Sequence, residues 1–464
     1  MAKYSYVYDH SDKHVLVCSS TGSGKTAAVV IPTALTYRGS MVVLDIKEEI
    51  YQSTAGLRQK LGHRCLKWSP AKKEGCTRIN PLTFVRLGTD KEVSDCALIA
   101  GALCQPGDEG QDSMHWNDIS ETLVTGLILH ECYVAQIESR SPSFKKISQL
   151  LTPADKSVEA KLAELLNFQH DTTGAQNWKD EYRRATKTHP VVAEKVADVL
   201  QRDDGERKSG ISTAKKRFGL FSDPLVTHAT SETDITTEEL VDGPTPVSLY
   251  LVVPPNQQER LSPVIRLIVL TLLDRLTEEQ VKHRHELLWL LDEFPSLGTL
   301  KPMKKALSYV RGYGMRFMLV CQNLGQIYTY YGRTNDILPN CHIIVSFAHS
   351  PVDVDGAKTL SEALGSFTVQ HMSYNVSGMP GIGNKGLSTH VQNTKRDLMT
   401  TDEVLFGLKH PQKNGRKVTA PGECLILVFG CRPIKGWQTF YFLDPKMLAW
   451  TKIKPIDQSR RDAA

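Results

Sequence analysis

Ser19-Ser20-Thr21-Gly22-Ser23-Gly24-Lys25-Thr26 decides the fold. An apolar run, His14–Cys18, precedes it, and Ala27–Ile31 after it reads as the start of a helix. A strand, a loop of small residues and a helix N-terminus together make an anion cradle, because backbone N–H groups converge where side chains leave room. In the pattern that binds nucleotide phosphates, Gly22 and Gly24 permit close approach. Lys25 reaches the β- and γ-phosphates, and the Thr26 hydroxyl ligates Mg²⁺. Ser19, Ser20, Thr21 and Ser23 fill out the loop, with Ser19 standing where the pattern usually has glycine. Pro32 falls early in the following helix, where it is expected to kink or shorten it.

A second stretch completes the site. Leu287–Leu291 is an apolar strand that ends in Asp292-Glu293. Beside a phosphate loop, the first acid of such a pair holds the Mg²⁺ shell. The second accepts a proton from the attacking water, which points to ATP hydrolysis and not merely sensing. The alternative is a strand ending in two solvated acids. The next apolar run, Arg316–Cys321, ends in Gln322, an amide placed to touch the γ-phosphate or its water. Arg311 opens the glycine-rich loop Arg311–Gly314 and is the candidate arginine finger acting on a neighbouring subunit's nucleotide. Arg316 is second, and a solvated arginine is the alternative. Asp45 ends the run Met41–Asp45 and is either a support for the phosphate loop or a plain exposed strand-end acid. His283 and His285 have no third ligand nearby for zinc, and His115-Trp116 reads as packing.

The 464 residues, 41% apolar and 23% charged, suffice for more than one domain. The run Val264–Leu273 is interrupted by Arg266. A membrane span needs roughly 20 consecutive apolar residues, and none is present; no signal core follows Met1. Ten cysteines include no CxxC pair. Cys18, Cys321, Cys341 and Cys424 sit in apolar runs, as reduced core residues do, so a cytoplasmic setting is expected. Net charge is +5, unevenly spread: residues 90–220 carry 17 Lys/Arg against 21 Asp/Glu, residues 366–464 carry 14 against 7. The C-terminal quarter is where a polyanion would meet the chain, unless it is simply a solvated basic surface.

Further apolar runs at Val247–Val253, His342–Phe347 and Cys424–Phe429 are continuous and not alternating, as in strands buried on both faces of a parallel sheet. Helical stretches such as Pro263–Gln280 and Lys301–Tyr309 separate them, which predicts an α/β doubly wound fold. Between 88 and 220 strand signals vanish. Asp118-Ile119-Ser120-Glu121 has capping-box spacing, Thr152-Pro153-Ala154-Asp155 reads as a helix start, and Val192, Val196 and Val199 form a stripe. The expected organisation is an α/β nucleotide-binding domain in two parts, 1–87 and 221–464, with an all-α domain inserted at 88–220. Arg202–Gly210 is expected to be a loop, and glycine-rich 366–396 a long flexible excursion.

Several of these segments carry a family resemblance. Ser19–Thr26 followed by Val29-Val30-Ile31-Pro32-Thr33, Asp45-Ile46-Lys47, Arg78-Ile79-Asn80-Pro81, Asp292–Gly298, Gly312–Asn323, Tyr331-Gly332 and Arg396–Met399 resembles the TraG/VirD group of type IV secretion coupling proteins. The resemblance implies a RecA-like P-loop ATPase with an inserted helical domain facing substrate, assembled as a homo-hexameric ring. It further implies ATP and Mg²⁺ as cofactors, and relaxase-bound single-stranded DNA or effector proteins as substrate. The remaining implied partners are components of the secretion channel. Members of that group usually begin with two membrane helices, whereas this chain begins just ahead of its first core strand. The chain is expected to be either a piece trimmed from a membrane-anchored form, which would sit at the cytoplasmic face of the bacterial inner membrane and whose isolated piece would be a monomer, or a natural soluble form. The competing readings are a double-stranded DNA translocase or pilus-assembly ATPase on the same scaffold, and a non-hydrolysing substrate receptor.

Overall fold

The computed structural model describes residues 6–104, 111–180, 182–377 and 386–456. Thirteen strands are present among them: β1 (Val15–Cys18), β2 (Ser40–Asp45), β3 (Arg64–Trp68), β4 (Val247–Val252), β5 (Leu287–Leu291), β6 (Met315–Cys321), β7 (Ile343–Ser346), β8 (Ser366–Ser377), β9 (Gly386–Asp397), β10 (Gln412–Asn414), β11 (Lys417–Ala420), β12 (Glu423–Val428) and β13 (Ile434–Trp437). Nine of them form one sheet in the order β13-β12-β7-β1-β6-β5-β2-β4-β3. From β7 to β3 all neighbours are parallel, while β12 runs antiparallel to both β7 and β13.

The central strands are apolar throughout because each face is covered. Leu16, Val42, Leu249, Leu291 and Leu319 belong to the large core that continues into the helices between β3 and β4. Val17, Val43, Tyr250, Leu290 and Val320 face a smaller layer containing Val30, Ala34, Ile50 and Ala55. β3 breaks the apolar pattern with Lys67. It lies at the sheet edge, where the Lys67 ammonium reaches Glu48 at 3.0 Å and lies over the Tyr51 ring.

Between β3 and β4 the described residues hold helices and one isolated bridge, Lys179 with Ala185. Val192, Val196 and Val199 are buried on one face of the helix Pro190–Gln201, as their spacing predicts. Other local expectations fail here. Asp118–Glu121 lies inside the helix Gln111–Ile137, since its apolar stripe runs on through Ile119, Leu123 and Leu127 and tertiary burial overrides a capping signal. Thr152 closes the helix Phe144–Leu151, and Ser157 caps the next, accepting from the Ala160 N–H at 3.1 Å. Arg202–Gly210 is largely helical: Asp203 caps the helix Asp204–Phe218 by accepting from the Glu206 N–H. The stretch expected at Pro263–Gln280 is the helix Gln258–Leu276.

The glycine-rich excursion is also corrected. Ser366–Ser377 and Gly386–Asp397 pair in register as an antiparallel ribbon, with Ser366 opposite Asp397 and Ser377 opposite Gly386. Its turn lies outside the described residues. Pro32 is accommodated by a wider first turn: Thr26–Val30 is π-helical, with the Ile31 N–H donating to the Thr26 carbonyl, before the α-helix Ile31–Thr36. Pro32 has no N–H to donate, and the widened turn directly before it is where the continuous helical stretch Thr26–Thr36 absorbs that missing bond.

Candidate functional site

Parallel strands deliver their C-terminal ends to one edge of the sheet, and the loops leaving β1, β2, β5 and β6 meet there. They bound a cleft of about 690 Å³ whose wall includes Gly22, Lys25, Thr26, Asp45, Asp292 and Gln322. Thr26 and Asp292, far apart in sequence, are in direct contact: Thr26 Oγ1 donates to Asp292 Oδ2 at 3.0 Å. Gly22 and Gly24 take φ of +77° and +89°, a region that L side chains rarely occupy, which is why the loop needs glycine at both positions. Lys25 Nζ donates to the backbone carbonyls of Ser19 and of Ser20, the latter at 3.1 Å. Its burial lowers the ammonium pKa, so the side chain is a desolvated cation held ready for an anion.

The acids are tuned in the opposite sense. Burial pushes the Asp292 carboxyl up to about 6, against the opposing pull of the Thr26 hydroxyl. Burial pushes Asp45 up to about 7, although it accepts from the Tyr51 N–H at 2.8 Å. Asp45 is therefore a buried acid facing the cleft, not an exposed strand end. The Asp292 carboxyl and the Thr26 hydroxyl it touches are oxygen donors of the kind a hard divalent cation such as Mg²⁺ takes.

Glu293 leaves β5 with φ +61°, in the left-handed region. Its Oε1 accepts from Gln322 Nε2 at 3.0 Å and from Gln326 Nε2 at 3.3 Å. Gln322 Oε1 in turn accepts from Thr21 Oγ1 at 2.7 Å. One amide thus bridges the phosphate loop and the second acid of the pair. Gln326 escaped sequence reasoning, though its spacing four residues beyond Gln322 was a usable signal; the Gln322 N–H donates to its Oε1 at 2.8 Å. Two further supports come from the C-terminal segment and left no signal in the sequence. Gln438 Nε2 donates to the Ser23 carbonyl at 2.9 Å. The Phe440 ring lies where a Cβ on Gly24 would stand, 2.8 Å from its Cζ and closer still to its Cε1.

Arg311 stands apart. It precedes β6, at the opposite end of that strand from Gln322, and takes no part in its own chain's cleft. Arg316, the alternative, is engaged locally: its guanidinium donates to the Ser11 carbonyl at 2.5 Å and lies 4.8 Å from the Tyr37 ring centroid. His283 binds Asp242 and His285 the Gly243 carbonyl, so neither is arranged for a metal. His115 stacks edge-on against Trp116 and reaches Glu206 at 3.1 Å.

The family described as Type IV secretory system Conjugative DNA transfer matches residues 2–459. The chain is 33% identical over 459 residues to the conjugal transfer protein TraG of Escherichia coli, covering 96% of this chain and 69% of that one. It is 29% identical over 432 residues to the protein VirD4 of Agrobacterium fabrum, covering 89% and 59% respectively. Among solved structures, the plasmid coupling protein TrwB in complex with ADP and Mg²⁺ superposes with a TM-score of 0.66 at 16% identity. That likeness covers 92% of this chain and 86% of the other, and shows a shared fold. Among the described residues no helix is long and apolar enough to cross a membrane.

Proposed function

Since this chain belongs to the Type IV secretory system conjugative DNA transfer family, we propose that it is the ATP-hydrolysing coupling protein of a type IV secretion channel. It draws on ATP to move relaxase-bound single-stranded DNA, or effector proteins, into that channel. The observation that carries this reading is the contact of Thr26 with Asp292 at 3.0 Å, flanked by Lys25 and by Glu293 with its two amide partners. The same fold holds ADP and Mg²⁺ in TrwB, which supports a magnesium nucleotide here.

In this mechanism the Ser19–Thr26 backbone wraps the phosphates while Lys25 exchanges its carbonyl acceptors for phosphate oxygens. Thr26 and Asp292 would hold Mg²⁺, which would supply positive charge against the phosphates. Glu293 orients the attacking water and takes its proton. Gln322, released from Thr21, turns to the γ-phosphate and reports its presence to β6. Arg311 reaches a nucleotide only across a subunit boundary, which fits a finger supplied to the neighbour in a homo-hexameric ring at the cytoplasmic face of the inner membrane.

ATP turnover measured with and without single-stranded DNA tests the reading. Glu293→Gln is expected to bind nucleotide yet stall, and stimulation by duplex DNA alone would favour a double-strand translocase. A Glu293→Gln chain that turns over at the parent rate would refute the assignment of Glu293. Mixing Arg311→Ala chains with Lys25→Ala chains is expected to restore turnover at some interfaces, and no recovery at any ratio counts against a finger in trans.

A further inference from the structure

Residues 404–443 hold Lys409, Lys413, Arg416, Lys417, Arg432 and Lys435 against a single acid, Glu423. That acid is buried and already engaged. It pairs with Lys435 at 2.9 Å and accepts from the Lys409 N–H at 3.0 Å. Lys413, Arg416 and Lys417 therefore stand exposed with no ion pair among the described residues. They cluster on the small ribbon β10–β11, where Asn414 pairs with Lys417 around a turn with Gly415 at φ +59°.

The ribbon has an inside and an outside. Along β11, Lys417 and Thr419 are exposed while Val418 and Ala420 are half-buried. Val418 packs against the small cluster of Ala28, Phe347, Cys424 and Phe440. Beside the ribbon's base, on the outermost strand β13, Trp437 is 43% exposed, with Lys409 Nζ 6.0 Å from its ring centroid. Unpaired cations spaced along a narrow ribbon, next to an exposed indole, match the chemistry of a nucleic-acid strand. Phosphates take the cations and a base stacks on the ring.

Position gives this surface a consequence. Trp437 is followed directly by Gln438, whose amide holds both the Ser23 carbonyl of the phosphate loop and the Gly422 N–H at the end of the ribbon's return strand. Phe440, against Gly24, shares its cluster with Val418.

We propose that the β10–β11 ribbon, through Lys413, Arg416 and Lys417 with Trp437 beside it, is a single-stranded nucleic-acid contact of this chain, joined to the phosphate loop through Gln438. The substrate class rests on the functional reading above, but the surface is assigned from its own charge and exposure. Strand movement and loop occupancy are then linked through Gln438 and Phe440.

The test is anisotropy of a labelled single-stranded oligonucleotide with the 464-residue chain across monovalent salt, for the parent, the triple variant Lys413→Ala/Arg416→Ala/Lys417→Ala, and Trp437→Ala. Each lost phosphate contact lowers the salt slope by about 0.7 for single strands, so the triple variant is expected to lose about 2 units of slope. Its affinity at 0.1 M salt should fall about a hundredfold on the same basis. Trp437→Ala is expected to lose affinity about tenfold with its slope unchanged. Nucleotide binding and thermal midpoint, measured alongside, show that each variant is folded. A folded triple variant with parental slope and affinity overturns the proposal, as does a parent chain that binds nucleotide but no single strand at any salt. If the parent binds the strand without turning over ATP, loss of binding in the triple variant upholds this surface while the hydrolysis reading fails.

Discussion

Gly24 offers a sharp test of how the phosphate loop is built, because two distinct constraints meet there. Its φ is +89°, and the Phe440 ring occupies the space a side chain would need, 2.8 Å from Cζ to the position of a Cβ. Placing an L residue in the left-handed region costs roughly 1–2 kcal/mol, and overpacking a filled space costs roughly 1–3 kcal/mol. Phe440 cannot swing away freely, being buried against Phe442, Cys424 and Ala28. Gly24→Ala should therefore destabilise the binding-competent loop by about 2–5 kcal/mol, a loss of roughly 30- to several-thousand-fold in nucleotide affinity. A double-mutant cycle separates the two parts. In a Phe440→Ala background the steric part disappears and the conformational part remains, so Gly24→Ala there should cost about 1–2 kcal/mol. Titration of a fluorescent ATP analogue with Mg²⁺ into the four proteins reads the cycle. An equal cost of Gly24→Ala in both backgrounds would refute the idea that the C-terminal segment shapes this loop.

Other perturbations reach different parts of the molecule. Gln438→Leu removes the amide from the Ser23 carbonyl and is expected to weaken nucleotide binding by about 1 kcal/mol, the worth of one hydrogen bond; unchanged affinity would show the bond to be idle. Arg58 is fully buried and donates to the carbonyls of Ala34, Tyr37 and Gly39 and to Ser248 Oγ. Arg58→Ala strands those acceptors and should cost about 3–5 kcal/mol in chemical unfolding, an outcome excluded by a midpoint near the parent's. His130 and His170, hydrogen-bonded to each other at 2.9 Å, are held by burial at about 4 and about 3, below the ordinary histidine value. Their folded pKa is lowered, so the unfolded chain binds more protons below pH 6.5. Their contribution to stability should be level above that point and fall as pH drops, by about 2 kcal/mol per histidine at pH 5. A parent whose thermal midpoint falls between pH 7 and pH 5 by no more than that of a His130→Gln/His170→Gln variant would contradict this.

Much of the site was legible because its chemistry is local. The loop Ser19–Thr26 and the acids Asp292-Glu293 each declare a role through residue type and spacing, and the apolar runs before them declare buried strands. What spacing cannot carry is contact between distant segments. Asp45 reads equally as solvated or supporting until β4 and β5 enclose β2 and the acid loses its water. The capping signal at Asp118 misled for a related reason: a cap is worth about 1 kcal/mol, less than the burial of the apolar stripe that carries the helix Gln111–Ile137 through it, whereas Thr152 stands at a helix end and Ser157 takes the cap of the next. The ribbon β8–β9 was missed because Ser366–Thr368, Gln370–Ser373 and His390–Asp397 are exposed and show no apolar face to betray strand pairing.

By itself the sequence determined the α/β class, the phosphate loop and the pair of acids that answers it, since each depends on residues adjacent in the chain. Only the tertiary structure decided that Gln326 joins Gln322 on Glu293, that Asp45 is buried, and that Gln438 and Phe440 brace a loop 415 residues before them. Those facts follow from the order of strands in the sheet, where β12 folds back antiparallel beside β7, β13 turns again beside β12, and the chain's end is brought to its beginning. Such proximity is set by long-range packing of the whole core, and no short stretch of residues encodes it.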